Sequence, residues 1–132
     1  MITYEEIVDF AVNLPYGSYD KPFEGDFYTT VLRRKDNNKW FGIVLKAPAH
    51  YFERYGVDAE KEREVLNLKC PPDLQEFLRQ KYPKGVFPSY HMNKRLWISV
   101  VTGEEIEKDE VKALIKLSYD FTASGKKPKE EE

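Results

Sequence analysis

Two β-rich segments separated by a turn constrain the fold of this chain more than any other feature. Residues 27–33 and 40–45 are dense in β-branched and aromatic side chains, which are typical of strands. Residues 35–38 between them read Lys-Asp-Asn-Asn, and Asn and Asp tolerate the positive φ of tight turns. The pattern predicts a hairpin with a basic tip. Strands joined by a tight turn pair antiparallel, so we expect an antiparallel sheet.

Three segments show the spacing of amphipathic helices. Residues 3–6 read Thr-Tyr-Glu-Glu and fit a capping box that starts the first helix, and Pro15 ends this helix. Pro72 suits the first position of a second helix, which ends before Pro83. The last helix is predicted over residues 107–123. Its spacing places one set of side chains on the sheet: Val111, Leu114, Ile115 and Tyr119.

The remaining segments complete the predicted sheet. Residues 64–70 and 96–101 are predicted strands, whereas residues 15–26 are predicted to form a loop. Residues 47–62 fit either a short helical turn or a covering loop. This order predicts an α+β fold, a two-layer sandwich in which helices cover one face of an antiparallel sheet.

Size and composition narrow the class of protein. A chain of 132 residues corresponds to about one domain, which we expect over residues 1–124, followed by a charged, disordered tail over residues 125–132. The single cysteine excludes an intramolecular disulfide. No apolar run approaches the length of a membrane span, and the first residues lack the pattern of a signal peptide. We therefore expect a cytoplasmic protein without membrane contact.

Two basic runs, residues 33–40 and 90–97, are the candidate functional segments. Each combines fixed positive charge, side-chain amides and an aromatic ring. Lys and Arg neutralise phosphates, whereas Asn and Arg can read base edges in a groove. The runs therefore predict a DNA-binding surface made of Arg33, Arg34, Lys35, Asn38, Lys39, His91, Asn93, Lys94 and Arg95. The alternative is that both runs are ordinary solvated turns; in either case Trp40 and Trp97 are expected to anchor them to the core.

Other kinds of site have weaker signals. A helix N-terminus after Cys70 could lower the pKa of its thiol, although a buried, inert cysteine is the commoner outcome. His50 and His91 are far apart in sequence and have only Cys70 as a third soft ligand, so we expect no metal site and no cofactor. No catalytic motif is visible, so we expect no catalytic residue and no enzyme. The acidic run over residues 104–110 either attracts weakly held cations or complements the positive end of the last helix.

Three short motifs resemble the MmcQ/YjbR family. They are Lys-Trp-Phe at residues 39–41, Leu-Asn-Leu-Lys-Cys at residues 66–70 and, most specifically, Tyr-His-Met-Asn-Lys-Arg at residues 90–95, followed by Trp97. The resemblance extends from Glu5 to Phe121. It implies a CyaY-like (frataxin-like) α+β fold with a proposed double-wing DNA-binding surface, and it implies no enzymatic activity.

This sequence departs from the family pattern in three places. Pro71 replaces the usual Asp after the cysteine, so the second helix loses a side-chain N-cap. Leu96 stands where His is common, which removes one donor from the second wing. Residues 51–62 also differ in composition.

The leading hypothesis is a non-enzymatic DNA-binding protein, with a monomer favoured, that contacts the duplex through two basic hairpin wings. One duplex can engage both wings only if their turns lie on the same side of the molecule. A first alternative is a protein-interaction or self-associating module that uses exposed aromatic side chains within residues 51–55. A second alternative is a frataxin-like metal binder that uses the acidic helix ends.

Overall fold

The structure, a computed structural model, describes residues 1–103 and 105–123. The predicted tail over residues 125–132 lies outside the described residues. The elements in chain order are α1 (Tyr4–Val12), β1 (Gly17–Asp20), β2 (Thr30–Arg34), β3 (Trp40–Ala47), α2 (Ala49–Arg54), β4 (Arg63–Lys69), α3 (Pro72–Lys81), β5 (Val86–Pro88), β6 (Trp97–Val101) and α4 (Lys108–Phe121).

The six strands form one sheet in the order β1-β2-β3-β4-β6-β5. Every neighbouring pair is antiparallel. Because side chains alternate between the faces of a strand, Leu66 and Ile98 point into the main core, where they meet residues of α1, α3 and α4. The predicted α+β class and the antiparallel sheet are confirmed, and α1, α3 and α4 cover one face of it.

The second face of the sheet is also covered. Tyr51 and Phe52 of α2 pack on Val65, Phe87 and Val101 and form a separate buried cluster. The segment over residues 47–62 therefore contains a short helix, one of the two structures that its sequence allowed.

The predicted helices are present, and their capping and burial follow the sequence pattern. In α1 the Thr3 hydroxyl accepts a hydrogen bond from the Glu6 N–H (3.1 Å), and the Glu6 carboxylate accepts one from the Thr3 N–H (3.0 Å). In α4, Leu114, Ile115 and Tyr119 are buried against the sheet, as predicted. Among the described residues, no helix is long and apolar enough to cross a membrane.

Two boundaries differ from the sequence prediction. The sequence predicts a loop over residues 15–26, but these residues contain β1, which pairs with β2 along the edge of the sheet. Conversely, β2 begins only at Thr30, and Phe27 is 86% exposed ahead of it. An edge strand of four residues is specified by its partner more than by its own pattern, which explains why the sequence did not reveal it.

Candidate nucleic-acid interface

The two basic runs emerge at the same end of the sheet. We call residues 35–39, between β2 and β3, the first loop, and residues 89–96, between β5 and β6, the second loop. The register pairs Gly42 with Leu68 and Lys69 with Trp97, so the start of β3, the end of β4 and the start of β6 share one end. Three strand spacings separate the middles of the two hairpins, which is about 14 Å at ~4.8 Å per spacing.

The first residue of β3 and the second loop meet on one face of the sheet. Trp40, beside the first loop, and Met92, within the second loop, pack against one buried cluster of Val31, Ile43 and Trp97. Trp97 is fully buried, whereas Trp40 is half-buried and makes a T-shaped ring contact with Phe23. Both tryptophans therefore anchor the loops, as expected. The second loop lies over the sheet rather than projecting freely from it.

Arg34 has a different role from the one expected from the sequence. Its side chain is buried, and its guanidinium donates two hydrogen bonds to the Asp36 carboxylate (3.0 and 2.9 Å). It also donates to the main-chain carbonyl of Tyr119 (3.1 Å) and lies over that ring. The hydrogen bonds from Arg34 hold the pKa of Asp36 below its ordinary value. Arg34 fastens the first loop to α4, so its guanidinium is not presented to a ligand.

Arg33 and Asn38 are engaged with one another at the edge of the first loop. The Arg33 guanidinium donates to both carboxylate oxygens of Asp20 (3.1 and 3.2 Å) and to the Asn38 side-chain oxygen (3.2 Å). Asn38 is exposed and has a φ of 63°, the left-handed conformation that its side chain tolerates in turns. Lys35 is exposed and Lys39 is half-buried. The two lysines therefore supply most of the positive charge that this loop presents.

The second loop presents all four of its predicted site residues to solvent: His91, Asn93, Lys94 and Arg95. Its backbone is nevertheless fixed. The Gln75 amide donates to the Arg95 carbonyl (2.9 Å) and to the Cys70 carbonyl (2.8 Å), and the Asn93 side-chain oxygen accepts from the Arg95 N–H (2.8 Å). Exposed cations on a fixed backbone form a pre-organised surface, which reduces the entropy lost on binding.

A buried polar pair holds the other end of the second loop. The Asn67 amide donates to the Tyr90 carbonyl (2.9 Å), and the Tyr90 N–H donates to the Ser99 hydroxyl (2.8 Å). The Ser99 hydroxyl in turn donates to the Asn67 side-chain oxygen. Asn67 and Ser99 are fully buried in the middle of the sheet, so they act on the surface only through the loop that they position.

Lys69 is a residue of this surface that the sequence analysis missed. It ends β4, the strand between the two hairpins, and its ammonium group lies 5.4 Å from the centre of the Trp97 ring. Its position one residue before the end of a predicted strand, with Cys70 alone between it and two prolines, is the available signal. The Lys69 ammonium therefore lies on the strand between the two hairpins.

The other candidate groups lie elsewhere. Cys70 is buried in the main core, and burial raises the pKa of its thiol to about 11, so its environment opposes rather than promotes thiolate formation. Within the described residues, no group of three or more His, Cys, Asp or Glu side chains is placed to hold a metal ion. In the acidic run, Glu105 pairs with Arg63 (3.0 Å), whereas Glu104 is outside the described residues.

The aromatic surface expected within residues 51–55 is not exposed. Tyr51 and Phe52 are buried, and Tyr55 is half-buried with its ring 5.8 Å from that of Phe87. The alternation of the sheet turns Val65 and Val101 to this face, and the aromatic side chains of α2 cover them. This segment therefore forms part of the core, and the proposed use of these rings as a docking surface is wrong.

Comparison with known proteins identifies the family. The sequence model of the YjbR family matches residues 13–121. The chain is 36% identical over 123 residues to the uncharacterized protein YyaQ of Bacillus subtilis (strain 168), covering 92% of this chain and 99% of that protein. It is 30% identical over 83 residues to the uncharacterized protein YjbR of Escherichia coli (strain K12), covering 63% of this chain and 68% of that protein.

Solved structures show the same fold. A crystal structure of a Pseudomonas syringae protein superposes with a TM-score of 0.79 at 32% identity, covering 92% of this chain and 99% of that chain. The Deinococcus radiodurans protein DR2400 superposes with a TM-score of 0.71 at 22% identity, covering 98% of this chain and 84% of that chain, and this likeness concerns the fold alone. On the family match and the similarity to YyaQ, the chain belongs to the YjbR family.

Proposed function

We propose that this chain is a non-enzymatic, cytoplasmic DNA-binding protein that acts as a monomer without a cofactor. The observation that carries the proposal is that two basic loops emerge at one end of the sheet. A shared side is the condition under which one duplex can engage both loops. The contacting cations are Lys35, Lys39, Lys69, Lys94 and Arg95.

The spacing of the loops suits a duplex groove. The separation of about 14 Å is close to the width of the B-DNA major groove, about 12 Å. Each loop then meets the phosphates on one side of the groove, and the lysine at the end of β4 faces its centre. Asn93 and His91 are the exposed polar groups assigned to base edges. Arg33 and Arg34 keep their intramolecular partners and hold the first loop in place.

Binding of a labelled duplex, followed by fluorescence anisotropy, tests the proposal. The variant Lys35→Gln, Lys39→Gln, Lys94→Gln, Arg95→Gln removes four charges from the loops. We expect it to lose binding at low salt, because phosphate neutralisation supplies most non-specific affinity. The control variant Lys46→Gln, Lys61→Gln changes two lysines at the opposite end of the sheet. Lys46 is in β3, and Lys61 lies just before β4. Equal binding by the wild-type protein and the loop variant would exclude this surface.

Self-association is a second candidate, because aromatic side chains are exposed beside β1. Phe27 is 86% exposed, Tyr19 50% and Phe23 40%. Aromatic residues are enriched at interfaces between proteins. Sedimentation of the wild-type protein and of Phe27→Ser over a range of concentrations tests this candidate. A dimer that the substitution abolishes and that high salt preserves would favour self-association.

A further inference from the structure

A cleft between α2 and the second loop extends beyond the proposed DNA contacts and shares His91 and Lys94 with them. Its volume is about 350 Å3, at the small end of the range for ligand pockets, roughly 300–1,000 Å3. Its lining includes His50, Arg54, Tyr55, Tyr90, His91 and Lys94. The fold brings together two segments about forty residues apart in sequence, because α2 packs on the strand that leads into the second loop.

The charged side chains of the cleft are both cations. Arg54 comes from α2 and Lys94 from the second loop, and the imidazoles of His50 and His91 lie with them, whereas none of the described lining residues is a carboxylate. A metal cation is disfavoured beside an arginine and a lysine, since like charges repel. Guanidinium and ammonium groups that converge on one cleft are instead suited to a phosphate, which a guanidinium can bind with two parallel hydrogen bonds.

Aromatic rings form the remaining wall. The Tyr90 and His91 rings lie 4.0 Å apart between centroids, and Tyr51 contacts both Tyr90 (5.1 Å) and Tyr55 (5.4 Å). Rings at the edge of a basic site offer faces on which a nucleobase can stack. His91 has a φ of 69°, and backbone strain of this kind in a non-glycine residue is concentrated at functional sites.

The wall is held in place by hydrogen bonds from the sheet. The Tyr51 hydroxyl donates to the Pro88 carbonyl (2.5 Å), and the Asn67 amide donates to the Tyr90 carbonyl (2.9 Å). The rings are therefore positioned before a ligand arrives, while Arg54 and Lys94 are exposed and free to adjust to it.

We propose that this cleft binds a nucleotide by its terminal phosphate, with Arg54 and Lys94 on the phosphate and the base against the ring of Tyr90 or His91. The nucleotide is either a free nucleoside monophosphate or the phosphorylated end of a DNA strand, since the two present the same chemistry. His91 and Lys94 also belong to the surface assigned to the duplex, whereas His50 and Arg54 lie outside it. Substitution of Arg54 therefore tests the cleft independently of duplex binding.

Calorimetric titration with deoxyadenosine monophosphate, deoxyadenosine and inorganic phosphate tests the site. We expect saturable binding of the nucleotide, weaker binding of phosphate and the weakest binding of the nucleoside. Arg54→Gln should weaken nucleotide binding about tenfold or more, because it removes charge-assisted hydrogen bonds. Lys46→Gln, a loss of the same charge outside the cleft, should leave the affinity unchanged. No saturable binding by the wild-type protein, or unchanged affinity in Arg54→Gln, would overturn the proposal.

A second titration separates the two sources of phosphate and the two proposals. A single-stranded oligonucleotide is compared with and without a terminal phosphate. If the wild-type protein prefers the phosphorylated strand and Arg54→Gln abolishes this preference, the cleft binds strand ends. If the mononucleotide binds tightly and the oligonucleotides show no such preference, the cleft binds free nucleotides. Lys35→Gln should weaken duplex binding and leave mononucleotide binding intact. If the wild-type protein bound no duplex in any assay but still bound the mononucleotide, the proposed DNA-binding function would be refuted and the nucleotide site would stand.

Discussion

Arg34 lies with its guanidinium 4.2 Å from the centre of the Tyr119 ring and donates a hydrogen bond to the Tyr119 carbonyl. The last turn of α4 contains no basic residue of its own, so Arg34 brings a cation to the negative end of that helix. Asn37 adds a hydrogen bond to the Thr122 carbonyl (2.7 Å). Arg34 and Asn37 therefore attach the first loop to α4, although both lie in a basic run and have exposed neighbours.

Substitutions of the neighbouring residues Arg34 and Lys35 should have different effects on the stability of the fold. Arg34→Ala should lower the free energy of unfolding by roughly 2–3 kcal/mol, because it removes charge-assisted hydrogen bonds to Asp36 and to the Tyr119 carbonyl. Lys35→Ala, at an exposed position, should change it by no more than about 0.5 kcal/mol. Urea denaturation measures both values. Equal losses in the two variants would contradict the attachment described for Arg34.

The salt dependence of duplex binding should report the charges of the second loop. If about five phosphates are neutralised, the slope of log K against log salt is near −4.5, at about −0.9 per phosphate. Lys94→Ala with Arg95→Ala should reduce the magnitude of this slope by about two units, because two cations are removed. Asn93→Ala should alter sequence preference more than the slope. An unchanged slope in the double variant would place the second loop away from DNA.

Gly17 should tolerate no side chain. A Cβ atom there would lie 1.9 Å from the carbonyl oxygen of Ala11, the buried residue of α1 beneath β1. Gly17→Ala should destabilise the fold by about 3 kcal/mol or more, because either α1 or β1 must move. Gly25→Ala is the matched control, since open space surrounds Gly25 and its φ of 81° alone costs about 1 kcal/mol. Thermal unfolding of the two variants should show the difference.

Cys70 should be unreactive in the folded protein. Because burial raises the pKa of its thiol to about 11, only a small fraction is thiolate at neutral pH, and alkylation should be much slower than in denaturant. The folded state also holds this proton more tightly than the unfolded chain, whose thiol titrates near pH ~8.5. Stability is therefore fully present below that pH and falls as the pH rises towards 11.

The variant Cys70→Ala isolates this contribution to the pH dependence. Its free energy of unfolding should decline less than that of the wild-type protein as the pH rises from about 8.5 towards 11. Rapid alkylation of the native thiol at neutral pH would show that Cys70 is not enclosed by the core.

Local patterns in the sequence predict most of the elements. The capping box of Thr3 and Glu6 marks the start of α1, and the Asn38 turn marks the first hairpin. The sequence does not predict edge strand β1, because this strand is stabilised by its pairing with β2 rather than by its own composition. In that pairing Tyr19 lies opposite Leu32. Local pattern is a weak guide where tertiary contacts decide the structure.

The site was predicted less completely, for two physical reasons. The common end of the two loops depends on β6 lying between β4 and β5, and this strand order is a property of the whole sheet. Arg34 and Lys35 are adjacent and both basic, yet the first is buried against α4 and the second is exposed. Charge alone does not distinguish them, because the direction of each side chain is set by the packing of α4.

The two edges of the sheet are unequal. Strand β5 has three residues and ends in Pro88, whose nitrogen carries no proton to offer a further strand, whereas β1 has four residues and contains no proline. Growth of the sheet by strand addition is therefore confined to the β1 side. Two copies joined there across a twofold axis would consume both accessible edges, so such pairing stops at a dimer and cannot propagate into a fibre.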